Sequence, residues 1–319
     1  MTGGPFDRLL HLGNVVVDVV LTVPALPQRG GDVLATSTQT AAGGGFNVMS
    51  AARRQGLPVG YAGAIGSGPF ADVARAACAA EGIEVMQPAK TGVDTGFVIS
   101  IVDDAGERTF LTSRGAEATL TAADLDRVCP GPGDAAYLSG YGLVHPANRA
   151  ALLGWLSRLG NGHIVIFDPG PLVRSLPGDV LDPVLGRADW LTCNAREATL
   201  LTGAPDPLSA LALLTRRSGR AGVLVRTGAD GCLLGHGGGP LRRVPGFRVT
   251  AVDTNGAGDT HTGVFVAALA SGADEVEAAR RANAAAALSV TKRGPATGPT
   301  LAELARFLDA AGGMRPAAR

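Results

Sequence analysis

The sequence predicts an α/β protein in which helices cover a central, mostly parallel sheet. Short apolar runs rich in β-branched residues alternate with longer Ala-, Leu- and Arg-rich segments of helical period, the pattern of parallel strands joined by helices. Two stretches, 15–40 and 95–112, break this alternation. At 319 residues the chain can bury a large core, and we expect a single domain over 1–319.

The individual elements follow from that alternation. In chain order, strands are predicted at 9–13, 59–64, 135–139, 164–168, 190–193 and 222–227. Helices are predicted at 48–55, 70–81, 146–159, 195–202, 207–218, 263–270 and 275–290. Of the two exceptions, 15–40 alternates apolar residues around a Pro/Gly turn, and 95–112 is typical of a hairpin that turns at 104–106. Together they predict a small separate β-sheet.

Charge and composition exclude several classes of protein. The 28 basic and 28 acidic residues give a net charge of zero, so neither a nucleic-acid nor an anionic-membrane binder is expected. The only lysines, Lys90 and Lys292, lie outside any GxxxxGK[ST] segment, which excludes a P-loop NTPase. The apolar stretch 9–26 lacks the basic flank and cleavage pattern of a signal peptide, and the four cysteines show no CxxC spacing. We therefore expect a cytoplasmic protein.

The strongest motif is Asp-Thr-Asn-Gly-Ala-Gly-Asp at 253–259, before the apolar segment 264–269. A turn of small residues that opens a helix leaves N–H groups unpaired at the positive end of the helix dipole, where they can bind phosphate. Asp259 would lie beside that anion and could take a proton from an attacking hydroxyl. The alternative, an Asn255-Gly256 hairpin with Asp259 as a helix cap, leaves the other small residues unexplained.

A second glycine cluster, Gly43-Gly44-Gly45, precedes Phe46 and Asn47. Glycines let a backbone approach a ligand closely, and the Asn47 amide offers a donor and an acceptor suited to sugar hydroxyls. A flexible loop with a capping Asn explains the same residues equally well. The cluster does not have the GxGxxG spacing of a dinucleotide-binding fold.

Polar residues follow the first and fifth predicted strands. Asn14 and Asp18 follow 9–13, where Asp18 could bind a pair of hydroxyls at the carboxyl edge of the sheet or could simply close a turn. Asn194 and Glu197 have the spacing of a capping box. That geometry also directs Glu197 to the sheet edge, where it could orient water on Mg²⁺.

A glycine turn closes the last predicted strand. Arg226 begins the segment Arg-Thr-Gly-Ala-Asp-Gly at 226–231. Such a turn can contact phosphate through its backbone, and an ordinary β-turn is the alternative. The five histidines are scattered without ligand spacing, so no histidine metal site is expected.

In this order, the segments resemble the ribokinase-like (PfkB) family of carbohydrate and nucleoside kinases. The resemblance covers nearly the whole chain, and the motif at 253–259 is its most specific element. It implies a ribokinase-like fold in which the small β-sheet, from about 15–40 and 95–112, forms a lid over the sugar. It also implies phosphorylation of a primary hydroxyl with ATP and Mg²⁺. The segments that carry it are 13–14, 43–47, 194–197, 227–231, 253–259, 283–287 and 292–294.

The resemblance implies a role for each matching position. The catalytic positions are Asp259, as the base, and Gly256, Ala257 and Gly258, as the anion hole. The substrate positions are Asn14, Asp18, Gly43, Gly44, Gly45, Asn47 and Tyr141. The nucleotide positions are Asn194, Glu197, Arg226, Gly228, Gly231 and Asn283, with Glu197 also reaching Mg²⁺ through water. Many members bind a monovalent cation, usually K⁺, at the positions of Asp253 and the backbone of Asn255, Ser289, Lys292 and Gly294.

Three positions depart from ribokinases proper. Gly44 stands where they have a substrate-binding lysine, Val16 where they have a sugar-binding Asn, and Tyr141 where they have a Glu. A site built for hydroxyls loses free energy for each polar partner left unpaired. The sequence therefore also suits a sugar other than ribose, or a nucleoside whose base stacks on Phe46 or Tyr141.

The leading hypothesis is an ATP-dependent sugar kinase that acts on a small molecule. A nucleoside kinase of the adenosine, inosine or pseudouridine type is the alternative, and a catalytically silent sugar-binding protein is a third possibility. A β-lid with a free edge often pairs with a second subunit, which predicts a homodimer through the lid.

Overall fold

The computed structural model describes residues 4–218 and 222–313, and their strands form two sheets. The strands of the nine-stranded sheet are β1 (Arg8–His11), β4 (Val59–Tyr61), β5 (Glu84–Val85), β8 (Asp134–Ser139), β9 (Val165–Asp168), β10 (Trp190–Asn194), β11 (Gly222–Arg226), β12 (Cys232–His236) and β13 (Arg242–Val244). The strands of the four-stranded sheet, which we call the lid sheet, are β2 (Val15–Thr22), β3 (Ser37–Gly44), β6 (Phe97–Val102) and β7 (Arg108–Ser113).

The large sheet is mostly parallel, as predicted. Its order is β13-β12-β11-β10-β9-β8-β1-β4-β5, and only β12 and β13 add antiparallel pairs at one edge. From β1 the chain builds outward to β4 on one side, and later continues from β8 on the other side. The carboxyl ends of β1 and β8 therefore form a topological switch point, where ligands bind in open α/β sheets. Asn14 and Tyr141 follow these two strands.

Helices flank the large sheet. They are α1 (Gly45–Arg54), α2 (Pro69–Ala80), α3 (Ala122–Leu125), α4 (Gly140–Leu143), α5 (Pro146–Arg158), α6 (Gly178–Arg187), α7 (Ala195–Thr202), α8 (Pro207–Ser218), α9 (Ala257–Ala270), α10 (Glu275–Ser289) and α11 (Leu301–Gly313). Two begin earlier than predicted, because the small residues expected to form turns already belong to the first turn of α1 and of α9. Among the described residues, no helix has the length and apolar character needed to cross a bilayer.

The core lies on both faces of the large sheet. Successive side chains of a strand point to opposite faces, so Leu9 packs into the cluster that contains Phe265 of α9. Its neighbour Leu10 packs into the other cluster, with Leu152 of α5 and Val184 of α6. Both faces are thus buried, which explains the continuous apolar runs of the strands.

The lid sheet is formed by the two stretches that interrupt the helix–strand alternation. Its order is β3-β2-β6-β7, and the predicted hairpin joins β6 to β7. The hairpin turns where the N–H of Gly106 donates to the carbonyl of Asp103 at 2.9 Å. Gly106 has a φ of 80°, a conformation that glycine adopts without strain.

The buried carboxylate of Glu117 ties both ends of this hairpin to the body. Its two oxygens accept the N–H of Gly96, just before β6, at 2.7 Å and the N–H of Gly115, just after β7, at 2.8 Å. Glu117 is only 4% exposed. A Cβ at Gly96 would lie 2.3 Å from the Glu117 carboxylate, so this close approach requires glycine.

We expect Glu117→Ala to lower the free energy of unfolding by about 2–3 kcal/mol, because two buried N–H groups lose a charged acceptor. Urea denaturation measures the change. Glu107→Ala, in the exposed turn of the same hairpin, should cost less than about 0.5 kcal/mol. Equal effects of the two substitutions would contradict the anchoring role of Glu117.

Candidate active site

The amino-terminal end of α9 presents free backbone donors. Gly256 precedes the helix with φ 71° and ψ 3°, and no side chain caps the helix. Among the described residues, the N–H groups of Gly258 and Asp259 in the first turn therefore lack an acceptor, and that of Ala257 makes only a long bond of 3.4 Å to the carbonyl of Thr254. The positive end of the helix dipole adds to their attraction for an anion.

Asp259 lies in the same first turn, and its carboxylate faces α1. The amide nitrogen of Asn47 donates to Asp259 Oδ2 at 3.0 Å. Burial raises the pKa of Asp259 to about 6, nearby Asp168 and Asp18 raise it as well, and Asn47 and Arg226 limit the rise. The carboxylate can therefore gain or lose a proton near neutral pH, as a general base must.

Arg226, at the end of β11, is surrounded by oxygen atoms from other elements. Its Nη1 donates to Asp168 Oδ2 at 3.0 Å, to Thr192 Oγ1 at 2.8 Å and to Thr262 Oγ1 at 2.7 Å. Its Nη2 lies 3.7 Å from Glu197 Oε2. Burial alone would lower the pKa of Arg226, but Asp168 and Glu197 raise it, so the group stays charged.

Sequence reasoning missed three of these partners. Asp168 is the last residue of a predicted strand, so its place at the carboxyl edge of the sheet was a usable signal. Thr192 lies within a strand and Thr262 within a helix, and nothing in their local sequence distinguishes them from core residues.

Asn194 and Glu197 form the capping box that their spacing predicted. Each side chain accepts the other residue's backbone N–H at 2.8 Å, at the start of α7. Burial and the neighbouring Asp168 raise the pKa of Glu197. Glu197 is thus both a helix cap and one of the carboxylates around Arg226.

A cavity of about 540 Å³ opens beside the amino-terminal end of α9. One side is apolar and includes Phe247, Val249 and Val290, which sequence reasoning did not identify because they look like ordinary core residues. The opposite side carries the first turn of α9. The residues predicted to contact nucleotide that line this cavity are Asn194, Arg226, Gly228, Gly231 and Asn283.

Two polar side chains shape the inner wall of this cavity. Asn283 donates to the carbonyls of Val244 and Pro245 at 3.1 and 3.2 Å, and its oxygen pairs with His261 Nε2 at 2.9 Å. Burial and Arg226 lower the pKa of His261 to about 3, so the ring is neutral. Its Nδ1 is buried with no partner among the described residues, which leaves one acceptor for a ligand.

On the substrate side, Asp18 lies within β2 of the lid sheet rather than at a turn after the first strand. A Cβ at Gly43 would lie 2.2 Å from the Asp18 carboxylate, so only glycine allows Asp18 this position. Burial raises the pKa of Asp18 to about 6. In the part of the chain that the structure describes, no hydrogen-bond donor pairs with this carboxylate.

The glycine cluster leads directly into α1. Gly44 has φ 61°, which disfavours a side chain there, and the N–H of Gly45 donates to the carbonyl of Asn14 at 2.7 Å. Asn47 is 3% exposed, and its Oδ1 has no partner among residues 4–218 and 222–313. Phe46 packs in the core, so it offers no free face for stacking.

Tyr141 lies at the switch point and is 40% exposed. Burial, together with the carboxylates of Asp259 and Asp18, raises the pKa of Tyr141 to about 12. Of the two rings considered for stacking, only this one is accessible.

The residues predicted to bind a monovalent cation are partly brought together. Asp253 Oδ1 accepts the N–H of Asn255 at 2.8 Å, and Oδ2 accepts the N–H of Gly294 at 3.0 Å. Burial alone would raise the pKa of Asp253, but these N–H groups and the guanidinium of Arg108 hold it below its ordinary value. The Lys292 side chain turns away to Glu303, at 3.3 Å.

The acidic edge suits Mg²⁺ bound together with a nucleotide. Asp168, Glu197 and Asp259 share a single cation, Arg226, and two of the three have a raised pKa, so the site can accept more positive charge. Within the described residues, no group of three or more His, Cys, Asp or Glu side chains could hold a metal ion by itself. Mg²⁺ would then take most of its ligands from phosphate and water, as it commonly does.

Backbone donors for a phosphate beside a carboxylate, in an α/β protein that carries a second, smaller sheet, are the features of a phosphotransferase with the ribokinase-like fold. Comparison with known proteins gives the family. The profile of the pfkB family carbohydrate kinases matches residues 7–301, and the chain belongs to that family. Its members are kinases that use ATP with Mg²⁺.

Individual relatives cover nearly the full length. The chain is 31% identical to the uncharacterised sugar kinase YegV of Escherichia coli over 93% of each chain. It matches the crystal structure of ribokinase from Thermotoga maritima with a TM-score of 0.80 and 25% identity, over 95% of this chain and 100% of that one. It also matches the crystal structure of aminoimidazole riboside kinase from Salmonella enterica, complexed with aminoimidazole riboside and an ATP analogue. That match has a TM-score of 0.78 and 25% identity, over 95% of this chain and 99% of that one.

We expect Asp259→Asn to stabilise the ligand-free protein at high pH. Because the folded-state pKa is about 6 against an ordinary 3.8, the unfolded chain releases its proton first, and the free energy of unfolding falls as pH rises from about 4 to 6. The variant avoids this loss. The free energy of unfolding of the variant should exceed that of the wild type by about 1–2 kcal/mol at about pH 8, and the difference should shrink towards about pH 4.

Urea unfolding at both pH values measures the difference. The matched control is Asp104→Asn, at an exposed position in the hairpin turn, which should stay within about 0.5 kcal/mol of the wild type. An Asp259→Asn variant no more stable than the wild type at high pH would contradict the raised pKa.

Proposed function

We propose that this protein transfers the γ-phosphate of ATP to a primary hydroxyl of a small neutral sugar, with Asp259 as the general base. The observation that carries the proposal is the position of Asp259, a half-buried carboxylate with a raised pKa, in the uncapped first turn of α9. Base and phosphate-binding donors therefore occupy one helical turn. The whole chain acts as one unit, with the lid sheet over the sugar.

The reaction needs one proton acceptor and stabilisation of charge. Asp259 takes the hydroxyl proton while the hydroxyl oxygen bonds to the γ-phosphorus and the bond to the β–γ bridging oxygen breaks, releasing ADP. The N–H groups of Ala257 and Gly258 stabilise charge on the transferring group. When bound, Mg²⁺ neutralises phosphate charge, and Glu197 and Asn194 would hold it through water.

The electrostatics of the sugar side favour an uncharged substrate. Burial is the main cause of the raised pKa of Tyr141, and the carboxylates of Asp259, Glu197, Asp168 and Asp18 raise it further. A sugar acid or sugar phosphate would meet the same negative charges. A neutral sugar instead offers hydroxyl donors to the two unpaired acceptors, Asp18 and Asn47 Oδ1. Asn47 Oδ1 is buried and Asp18 is half-buried, and each gains a partner when a hydroxyl binds.

The accessible ring of Tyr141 supports a second candidate, a nucleoside. A base could stack on this ring while its ribose hydroxyls meet Asp18 and Asn47. A thermal-shift panel separates the two: stabilisation by adenosine, inosine or pseudouridine, and by no free sugar, favours the nucleoside.

The nucleotide fits the cavity beside α9. Its base would lie against Phe247 and Val249, with His261 Nδ1 as a hydrogen-bond acceptor, and its phosphates would reach the amino-terminal end of α9. A cytoplasmic location stays a prediction of the sequence, and the K⁺ that the family resemblance implies is taken up below with the contacts of Asp253.

The test of function is a coupled ADP-release screen of the full chain over pentoses, hexoses, keto-deoxy acids and nucleosides. We expect a neutral sugar to be phosphorylated and Asp259→Asn to lower kcat by about 10²–10⁴-fold. The wild-type kcat/KM should rise with pH through about 6, where Asp259 loses its proton, and then level off.

Asp104→Asn serves again as the control and should keep wild-type kinetics. Near wild-type ADP release by Asp259→Asn would refute the mechanism. Binding of ATP without turnover on any substrate would support a catalytically silent protein instead.

We also infer a homodimer through the lid sheet. Strand β7 is an edge strand with one unpaired side, and Phe110 and Leu111 on its two faces are 56% and 59% exposed. Exposed apolar edge strands commonly pair with another chain. A second copy could cover both side chains and continue the sheet.

Phe110→Lys combined with Leu111→Lys should convert the dimer to a monomer, because charges on both faces oppose burial of the edge. Light scattering coupled to size exclusion measures the mass. Leu208→Lys, at an exposed leucine on α8, is the control and should stay dimeric. A wild type that elutes as a monomer at micromolar concentration would contradict the inference.

A further inference from the structure

Arg108 joins the lid sheet to the loop that precedes α9. It is the first residue of β7, and its Nη2 lies 2.5 Å from Asp253 Oδ1, 145 positions further along the chain. The two side chains are 27% and 13% exposed. A guanidinium–carboxylate contact that is largely shielded from water is stronger than a surface ion pair. This pair therefore fixes the tip of the lid sheet to the body.

Asp253 in turn organises the entry to the anion site. Its carboxylate accepts the backbone N–H of Asn255, the residue before Gly256, and the N–H of Gly294 on a separate loop. The N–H groups of Val252 and Asp253 also donate to the carbonyl of Val290. Any movement of this carboxylate is thus transmitted to the turn that sets the first N–H groups of α9.

A shielded carboxylate in this position needs a positive partner. The family resemblance implies a monovalent cation for that role, held by Asp253 and by backbone oxygens that include Ser289. Here the guanidinium of Arg108 occupies Asp253, and the Ser289 carbonyl accepts from Thr297 Oγ1 at 3.1 Å. A cation next to Arg108 would also meet a like charge. With Arg108 in place, these residues do not fit a monovalent cation.

We propose that Arg108 replaces the monovalent cation at Asp253. The lid sheet then carries the positive charge that fixes the conformation of the loop before α9. Nucleotide binding therefore requires the Arg108 contact and not K⁺. Arg108 is a positioning residue, because it acts through Asp253. The consequence for phosphate binding rests on the proposed kinase function, whereas the effect on folding does not.

The test compares potassium chloride with tetramethylammonium chloride at equal ionic strength. The thermal unfolding midpoint of the full chain is measured without ligand, and the Kd of the ATP analogue AMP-PNP is measured with Mg²⁺. The wild type should give the same midpoint and the same Kd in both salts. Arg108→Ala should have a lower midpoint and bind AMP-PNP about tenfold more weakly in tetramethylammonium, the loss expected for one charge-assisted hydrogen bond.

Rescue of Arg108→Ala by potassium distinguishes an arginine that replaces a cation from one that makes a merely structural contact. Potassium should restore both quantities in Arg108→Ala, because the vacated carboxylate and backbone oxygens can then bind the ion. Arg108→Lys should need no potassium, since it keeps the charge. Arg114→Ala, at an exposed arginine just after β7, is the matched control and should behave as the wild type in both salts.

Three results would overturn the proposal: a wild type whose midpoint or Kd worsens without potassium, an Arg108→Ala variant indistinguishable from the wild type, or a loss that potassium does not repair. Failure of the wild type to bind AMP-PNP in either salt would refute the proposed function instead. In that case the midpoints of the ligand-free proteins still decide the role of Arg108.

Discussion

The charge of Arg226 is the constraint around which the carboxyl edge of the large sheet is arranged. Its guanidinium reaches Asp168 on β9, Thr192 on β10 and Thr262 on α9 from its own place on β11. One side chain thus links three adjacent strands to the helix that carries Asp259. Without it, buried carboxylates would lack a counter-charge, which is strongly destabilising. The site exists because this cation makes an acidic edge compatible with a folded core.

Committing Arg226 to the protein has a consequence for phosphate binding. A cation that already serves Asp168 and lies near Glu197 has less capacity for a ligand, and the chain has only two lysines, neither placed in a phosphate-binding loop. The anion must therefore be held mainly by backbone donors, which explains the small residues at 256–258. Gly258 lies next to Arg226, whose Nε would be in ordinary contact, at 3.5 Å, with a Cβ at that position. Backbone donors and the arginine thus converge on one point.

Periodicity in the sequence predicted six strands of the large sheet, seven of the helices and the separate lid sheet, because each depends on local alternation of apolar and polar residues. The elements that it did not predict are β5, β12, β13, α3, α4, α6 and α11. The capping box at Asn194 and Glu197 was predictable for the same reason, since its two partners are three residues apart. Contacts between distant segments were not: nothing near Arg108 or near Asp253 indicates that they pair. The prediction of a sheet over 15–40 included Asp18, but its close approach to Gly43 was missed, because it depends on the missing side chain of a neighbouring strand.

The carboxylates where the lid sheet meets the body differ in whether the protein itself supplies their hydrogen-bond donors. Glu117 is fully paired with backbone donors at both ends of the hairpin, so this attachment is independent of ligand. Asp18 of the lid sheet and Asp259 of the body are instead half-buried carboxylates with a raised pKa, so we expect their ionisation to oppose folding of the ligand-free protein at neutral pH. A hydroxyl that donates to either one removes part of that penalty. The proposed sugar would therefore meet one such carboxylate on the lid sheet and one on the body, and its hydroxyls would offset the cost of ionising both.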